Sequence, residues 1–134
     1  MRIKEENGYF VEKIHHIDIS PLLSHRMNTT LPLPHLSFKH HLPFSIQDII
    51  RLDGKGNYTV FSLLDGTQFL SSRSLGVYET IFPENFLRVH KGCIINLGYL
   101  DTLNDLNRVA ILTDGSHVAV SRRRWAEIRS LVSD

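Results

Sequence analysis

Turn signals that contain glycine recur at short intervals from about residue 36 onward. They lie at residues 53–57, 65–66, 90–92 and 113–116. The runs between them are short and rich in β-branched and aromatic residues, as at residues 58–63, which is typical of strands. Asp65-Gly66 between two such runs is a strong hairpin signal. The spacing leaves little room for long helices, so the sequence predicts a β-rich domain.

Two segments depart from the strand pattern and predict helices. In the first, Ser74 can cap the helix N-terminus and Pro83 ends the run, with apolar residues at helical spacing between them. The second begins at Ser121, and its apolar stripe includes Trp125 and Ile128. The chain is therefore expected to end in a helix that packs one face on the β-rich core.

Three consecutive arginines, Arg122, Arg123 and Arg124, stand in the first turn of this C-terminal helix. Positive charge there opposes the helix macrodipole, and such departures from local preference are often functional. An anion at the helix start would satisfy both the guanidinium groups and the free backbone N–H groups, and DNA phosphate is the obvious candidate. The alternative is a solvated charged face, in which one arginine stacks on Trp125 or reaches solvent.

Charge alone does not indicate a nucleic-acid partner. The formal net charge of +1 and the pI near 8.0 are close to neutral, whereas a clearly basic domain is the stronger signal. An electrostatic argument must therefore depend on where the Lys and Arg residues lie. The single Cys93, within an apolar run, is interpreted as a small buried hydrophobic residue in a reducing compartment.

The 134 residues leave room for one core-bearing domain, assigned to residues 36–134. Residues 1–35 are interpreted as an N-terminal tail or arm, which could also dimerise or add a strand to the domain. Residues 36–40 alternate as a half-exposed strand does. We find no apolar stretch near the roughly 20 residues of a membrane span and no signal peptide, so a cytoplasmic protein is expected.

Metal and enzyme chemistry find little support. His15-His16 and His40-His41 are adjacent pairs, and adjacent strand residues point to opposite faces, so neither pair has chelating spacing. The sequence contains no P-loop, nucleophile elbow or catalytic dyad of defined spacing. We therefore expect no metal, no cofactor and no enzymatic activity.

Five short blocks follow one another in a fixed order along the predicted domain. They are residues 56–59 (GNYT), 64–66 (LDG), 72–75 (SRSL), 86–96 (FLRVHKGCIIN) and 120–123 (VSRR). The longest block is the most specific, and together with the closing V-S-R it resembles the LytTR family of DNA-binding domains. The resemblance covers about residues 36–134 with its spacing intact.

The resemblance implies a mainly β fold of short antiparallel sheets layered as a sandwich, with one or two short helices including the C-terminal one. It also implies a bacterial transcription regulator that inserts loops into successive major grooves of double-stranded DNA. The positions that correspond to its DNA-contacting loops are Asn57, Tyr58, His90, Lys91, Arg122 and Arg123.

The chemistry of these side chains separates base contacts from phosphate contacts. Base contacts are assigned to Asn57, Tyr58, Lys91 and Arg123, and the planar guanidinium of Arg123 suits bidentate binding to guanine. Phosphate contacts are assigned to Arg73, Ser74, Arg88, His90, Ser121 and Arg122.

Three of these assignments leave a structural alternative open. Tyr58 could pack across its hairpin, His90 could orient the turn that contains it, and Arg88 could be structural. Gly92 stands where the family usually has Ser, which removes a hydroxyl that could bind phosphate. The 35 residues before the domain are too few for the receiver domain that usually precedes it, so control by phosphorylation does not follow from the resemblance.

The function expected from the sequence is sequence-specific binding of double-stranded DNA, in transcription regulation. Binding sites in this family tend to be repeats, so a homodimer on DNA is expected, with no membrane partner. The alternative is a protein-interaction module of the same fold that inhibits or pairs with a full-length regulator. The near-neutral charge and Gly92 motivate this second hypothesis.

Overall fold

The computed structural model describes the backbone of residues 2–6, 9–13, 16–17 and 42–133, and the side chains of residues 42–132. Its strands are β1 (Arg2–Glu6), β2 (Tyr9–Lys13), β3 (His16–Ile17), β4 (Ile49–Lys55), β5 (Tyr58–Leu63), β6 (Gln68–Ser71), β7 (Phe86–His90), β8 (Cys93–Asn96), β9 (Leu100–Asn104), β10 (Val109–Leu112), β11 (His117–Ala119) and β12 (Val132–Ser133). Its helices are α1 (Leu75–Ile81) and α2 (Arg122–Leu131), with 3₁₀ turns at Ile46–Asp48 and Leu97–Tyr99. The predicted mainly β fold with a C-terminal helix is confirmed.

A five-stranded antiparallel sheet in the order β6-β5-β4-β8-β7 forms the middle of the domain. All four residues of β8 are buried. Cys93 and Ile95 face one hydrophobic core, whereas Ile94 faces another. Because successive strand residues point to opposite faces, a strand covered on both faces is continuously apolar. The predicted buried run after Gly92 is thereby confirmed.

The core on one face of this central sheet is rich in aromatic residues and is covered by α1. The rings of Phe61 and Tyr78 meet edge to face with centroids 4.9 Å apart, and Phe82 packs beside both. The predicted helix is confirmed: it ends at Ile81, with Phe82 as its C-cap directly before Pro83. Ser74 occupies its N-cap, but the Ser74 side chain makes no capping hydrogen bond. A helix this short owes its stability to tertiary packing of its apolar face.

The core on the other face is mainly aliphatic. A second antiparallel sheet, β1-β2-β9-β10-β11, and helix α2 cover it. Ile128 and Leu131 of α2 are buried there and Trp125 packs at the margin, which confirms the predicted apolar stripe. In the described part of the chain, neither helix is long and apolar enough to cross a membrane.

Part of the segment interpreted as an N-terminal tail or arm adds strands to the second sheet. β2 pairs with β9, with Val11 opposite Asn104, and β1 pairs with β2. β3 pairs with β12 at the end of the chain, with Ile17 opposite Val132. The strand expected at residues 36–40 lies outside the described residues.

Cys93 is only 1% exposed and lies in the aliphatic core. Burial, reinforced by the neighbouring Asp53 carboxylate, raises the pKa of its thiol well above the ordinary value. A thiol that stays protonated is a poor nucleophile. The interpretation of Cys93 as a small buried hydrophobic residue is confirmed.

Candidate nucleic-acid interface

The hairpin between β4 and β5 and the turn between β7 and β8 lie side by side. The backbone N–H of Gly54 donates to the carbonyl of Gly92 over 2.9 Å. A Cβ at Gly54 would lie 3.5 Å from Leu75 Cδ2, in ordinary van der Waals contact with α1. Asn57 and Tyr58 project from the hairpin end, and Tyr58 is 50% exposed. The exposure leaves about half of this ring available to a partner.

The turn between β7 and β8 exposes Lys91 and holds the ring of His90 against its own backbone. Nδ1 of His90 accepts a hydrogen bond from the N–H of Gly92 over 2.9 Å. A neutral imidazole that accepts at Nδ1 carries its proton on Nε2, which is then a donor. A Cβ on Gly92 would approach His90 Cε1 to 3.1 Å, so glycine suits this arrangement.

Helix α2 begins beside the same turn. The backbone N–H of Ser121 donates to the carbonyl of Val89 over 2.9 Å, and Ser121 Oγ caps the helix by accepting from the N–H of Arg124. Arg122 and Arg123 are exposed. Arg124 instead pairs with Glu127 over 2.9 Å within the helix. Of the three arginines in this first turn, two therefore extend into solvent and one is held by the protein.

The loop before α1 joins this region from the opposite side of the hairpin. Thr59 follows Tyr58 in the chain, and its Oγ1 donates to the carbonyl of Arg73 over 2.8 Å. Arg73 is exposed and Ser74 is half-buried. We call residues 54–58, 72–74, 90–92 and 121–123 together the basic edge. They contain Lys55, Arg73, Lys91, Arg122 and Arg123 and no acidic residue.

A groove of about 450 Å³ opens between the β7–β8 turn and the start of α2. Its walls are Glu79, Arg88, His90, Lys91, Ser121, Arg123 and Arg124. The structure thus brings the predicted Lys91, His90, Ser121 and Arg123 together around one concavity. Asn57, Tyr58, Arg73, Ser74 and Arg122 lie on the basic edge outside this groove. Four of the seven groove residues are cationic, which favours an anionic ligand.

Arg88 differs from the other predicted phosphate contacts because its guanidinium is engaged within the protein. Its Nη1 lies 2.8 Å from Glu79 Oε1, and its Nη2 donates to the carbonyl of Lys91. Sequence reasoning did not identify Glu79. No local pattern indicates it, since its partners lie on other elements that only the fold brings near α1.

The opposite end of the central sheet has the reverse charge. The loops there are residues 46–48, 64–67, 83–85, 97–99 and 113–116, joined by backbone hydrogen bonds such as Leu64 N–H to Asp48 O and Thr113 N–H to Tyr99 O. We call this set the acidic edge. Its charged residues are Asp48, Asp65, Glu84 and Asp114. The near-neutral net charge is therefore compatible with a cationic surface, because the two signs are segregated.

Among residues 42–132, no group of three or more His, Cys, Asp and Glu side chains is arranged to hold a metal ion. The side chains of His15, His16, His40 and His41 lie outside the described set. The chemistry that the basic edge offers is that of cationic and hydrogen-bonding side chains.

Comparison with known proteins places this arrangement in a family. Residues 39–133 match the profile of the LytTr DNA-binding domain. The heme-containing CO-sensing transcriptional regulators RcoM 1 and RcoM 2 of Paraburkholderia xenovorans (strain LB400) are each 33% identical over 92 residues, which is 65% of this chain and 34% of theirs. The matched part of this chain thus spans about a third of either relative.

A solved structure has the same fold. The LytTr DNA-binding domain of a putative methyl-accepting/DNA response regulator from Bacillus cereus superimposes with a TM-score of 0.59 at 20% identity, covering 67% of this chain and 85% of that one. The profile match extends over most of the chain, and the layered antiparallel sheets agree with it. This chain belongs to the LytTR family of DNA-binding domains.

Proposed function

We propose that this protein binds double-stranded DNA sequence-specifically through its basic edge and acts as a transcription regulator. The observation that carries the proposal is the convergence of separate loops on one cationic surface, held by the Gly54–Gly92 and Ser121–Val89 backbone hydrogen bonds. Family membership supports DNA as the anion. The surface consists of loops and a helix start, so it suits insertion of loops into major grooves rather than of a whole recognition helix.

Base recognition is assigned to four exposed side chains of the basic edge: Asn57, Tyr58, Lys91 and Arg123. Arg123 supplies a fork that fits the O6/N7 edge of guanine, and Lys91 supplies a point charge for the same acceptors. Asn57 suits the N6/N7 edge of adenine. Together these side chains would discriminate among bases at two neighbouring grooves.

Phosphate binding is assigned to a flanking set: Arg73, Ser74, His90, Ser121 and Arg122. His90 can donate from Nε2 because Nδ1 already accepts from Gly92. Ser121 Oγ accepts from the N–H of Arg124 and keeps its own hydrogen to donate. A phosphate near Arg122 would also relieve the repulsion between this guanidinium and the positive end of the helix macrodipole.

Regulation of transcription is supported by the RcoM relatives, which are transcriptional regulators. We propose a homodimer on a repeat-type promoter site in the cytoplasm, without enzymatic activity of its own. Two protomers on adjacent half-sites would double the phosphate contacts and add their base preferences.

Selection of bound duplexes from a random pool, followed by sequencing, tests this function. The expected result is an enriched repeat motif, with an affinity that falls steeply as salt rises. Retention of random duplexes without enrichment would remove sequence specificity from the proposal. No retention of DNA, together with capture of a full-length regulator, would favour the protein-interaction module instead.

A further inference from the structure

An acidic side chain stands in the wall of the cationic groove. Glu79 projects from α1, with Oε1 2.8 Å from Arg88 Nη1 and Oε2 3.9 Å from Arg124 Nη2. A carboxylate in a DNA-binding surface repels phosphate, so its presence needs a reason. Glu79 lies between the strand that leads into the Lys91 turn and the first turn of α2. It is therefore placed to tie these two elements together.

Arg88 continues the connection from Glu79 to the turn. One terminal nitrogen pairs with Glu79, and the other donates to the carbonyl of Lys91. A guanidinium presents its donors in a rigid fork, so the two bonds fix its plane. A phosphate could bind these nitrogens only by displacing Glu79 or the Lys91 carbonyl. The contacts favour a structural role over the phosphate contact expected from the sequence.

We infer that Glu79 and Arg88 are positioning residues: together they form a clamp that holds the Lys91 turn and the start of α2 at a fixed separation for DNA. This inference depends on the proposed function. Charge-assisted hydrogen bonds are about twice as strong as neutral ones, and the partly buried site protects them from solvent screening. DNA then meets Lys91 and Arg123 already arranged, and little of the binding free energy is used to order them.

The substitution Glu79→Gln tests the inference by the sign of its effect. The substitution makes the groove more positive. If Glu79 merely repelled DNA, the variant would therefore bind DNA several-fold tighter than the wild type. A positioning acid gives the opposite result, and we expect affinity to fall about tenfold. Glu84→Gln is the matched control, because it makes the same change on the acidic edge. Tighter binding by Glu79→Gln than by Glu84→Gln overturns the inference.

A double-substitution cycle tests whether Arg88 acts through Lys91. Arg88→Gln should weaken DNA binding about tenfold, as Lys91→Ala should, with little further loss of affinity when the two substitutions are combined. Arg88→Lys keeps the charge but not the fork, and we expect it to weaken binding nearly as much. Losses of affinity that multiply in the double variant, a salt slope lowered by about one unit in Arg88→Gln, or wild-type affinity of Arg88→Lys would assign Arg88 to phosphate and overturn the inference.

Hydrogen exchange at the Gly92 amide supplies a readout that does not need DNA. Loss of the clamp should speed exchange there in Arg88→Gln and Arg88→Lys, while amides of the acidic edge keep their wild-type rates. If the wild-type protein binds no duplex, the proposed function fails. The exchange rate of the Gly92 amide still shows whether Arg88 holds the Lys91 turn. Unchanged exchange at Gly92 in folded Arg88→Lys overturns the inference.

Discussion

The basic and acidic edges of the central sheet are both built from short turns, yet their charged groups are used differently. At the acidic edge, Asp65 accepts hydrogen bonds from both the N–H and the hydroxyl of Thr67, and Asp114 does the same with Ser116. At the basic edge, the described residues offer no ion-pair or hydrogen-bond partner to the five cationic side chains. Local turn hydrogen bonds thus occupy Asp65 and Asp114, two of the four acids, whereas the cations are left for a ligand.

This difference explains how a chain with a net charge of +1 can present a DNA-binding surface. At physiological salt the Debye length is about 8 Å, so an anion at the basic edge is screened from charges at the far end of the sheet. The acidic edge offsets the total charge without cancelling the local field. It also favours one orientation of the domain on DNA, with the basic edge toward the phosphates.

The largest expected effect comes from charge reversal at the start of α2. Arg123→Glu should weaken DNA binding by about 100-fold or more, since the proposed bidentate base contact would be replaced by repulsion. The same change places a favourable charge at the helix N-terminus, so the free energy of unfolding should rise by about 0.3–1 kcal/mol. Gel shift and urea unfolding measure the two effects. A protein that lost stability as well as binding would contradict this trade-off between function and helix electrostatics.

The next largest expected effect depends on where the charged side chains lie, because we expect DNA affinity to follow the charge of the basic edge rather than the net charge. Lys91→Ala should weaken binding about tenfold, because the proposed contact of the Lys91 ammonium with a base edge is lost. Adding Glu84→Lys changes the net charge of that variant from 0 to +2 but places the new cation on the acidic edge. We expect no recovery of affinity in filter binding at several salt concentrations. Recovery to the wild-type value would show that net charge, not the basic edge, governs binding.

A matched pair of glycine substitutions separates binding from stability. A Cβ at Gly92 would lie 3.1 Å from the half-buried His90 ring, and one at Gly98 would lie 3.2 Å from Asn96 Oδ1. Asn96 is buried and bonded to Asn85 and to the Ile49 carbonyl, so it cannot yield easily.

Gly98→Ala should therefore lower the free energy of unfolding by about 1–2 kcal/mol and leave DNA affinity unchanged. Gly92→Ala displaces a ring that can rotate, so it should reduce affinity by about threefold and change stability by less than about 0.5 kcal/mol. Thermal unfolding and gel shift on both variants check the contrast. Equal effects of the two substitutions on DNA affinity would show that the basic and acidic edges do not differ in their contribution to DNA binding.

The smallest expected effect is a loss of folding stability at low pH. Hydrogen bonds from Thr67 lower the pKa of Asp65 from its ordinary 3.8. Partial burial acts to raise the pKa of Asp114, but hydrogen bonds from Ser116 and the charge of Arg51 outweigh it and lower that pKa as well. Groups whose pKa is depressed on folding contribute stability above the unfolded value, and lose it as pH falls through the folded value.

The midpoint of urea unfolding should thus decline as the pH falls below the ordinary carboxyl pKa of about 4. Asp65→Asn with Asp114→Asn should flatten that decline, while DNA affinity at neutral pH stays as in the wild type. An unflattened decline in the double variant would place the acid-sensitive groups elsewhere in the molecule.

Local signals in the sequence were sufficient to predict several of the secondary-structure elements. The Asp65-Gly66 hairpin, the helix before Pro83, the buried run after Gly92 and the final amphipathic helix all appear in the structure. Each depends on interactions within a few residues or on a short hydrophobic period, and these are readable from neighbouring residues. The family blocks likewise lie in contiguous sequence. The assignment of DNA contacts to individual side chains stays a prediction.

The sequence by itself determined the turns, both helix starts and many of the strands from residue 49 onward, and which exposed cations the loops carry. Only the tertiary structure decided that those loops share one edge, because Gly54–Gly92 and Ser121–Val89 are hydrogen bonds between distant parts of the chain. It also decided that Arg124 and Arg88 are held by acids while Lys91 and Arg123 are exposed. The physical reason is that charge pairing depends on distance in space, which sequence separation does not specify.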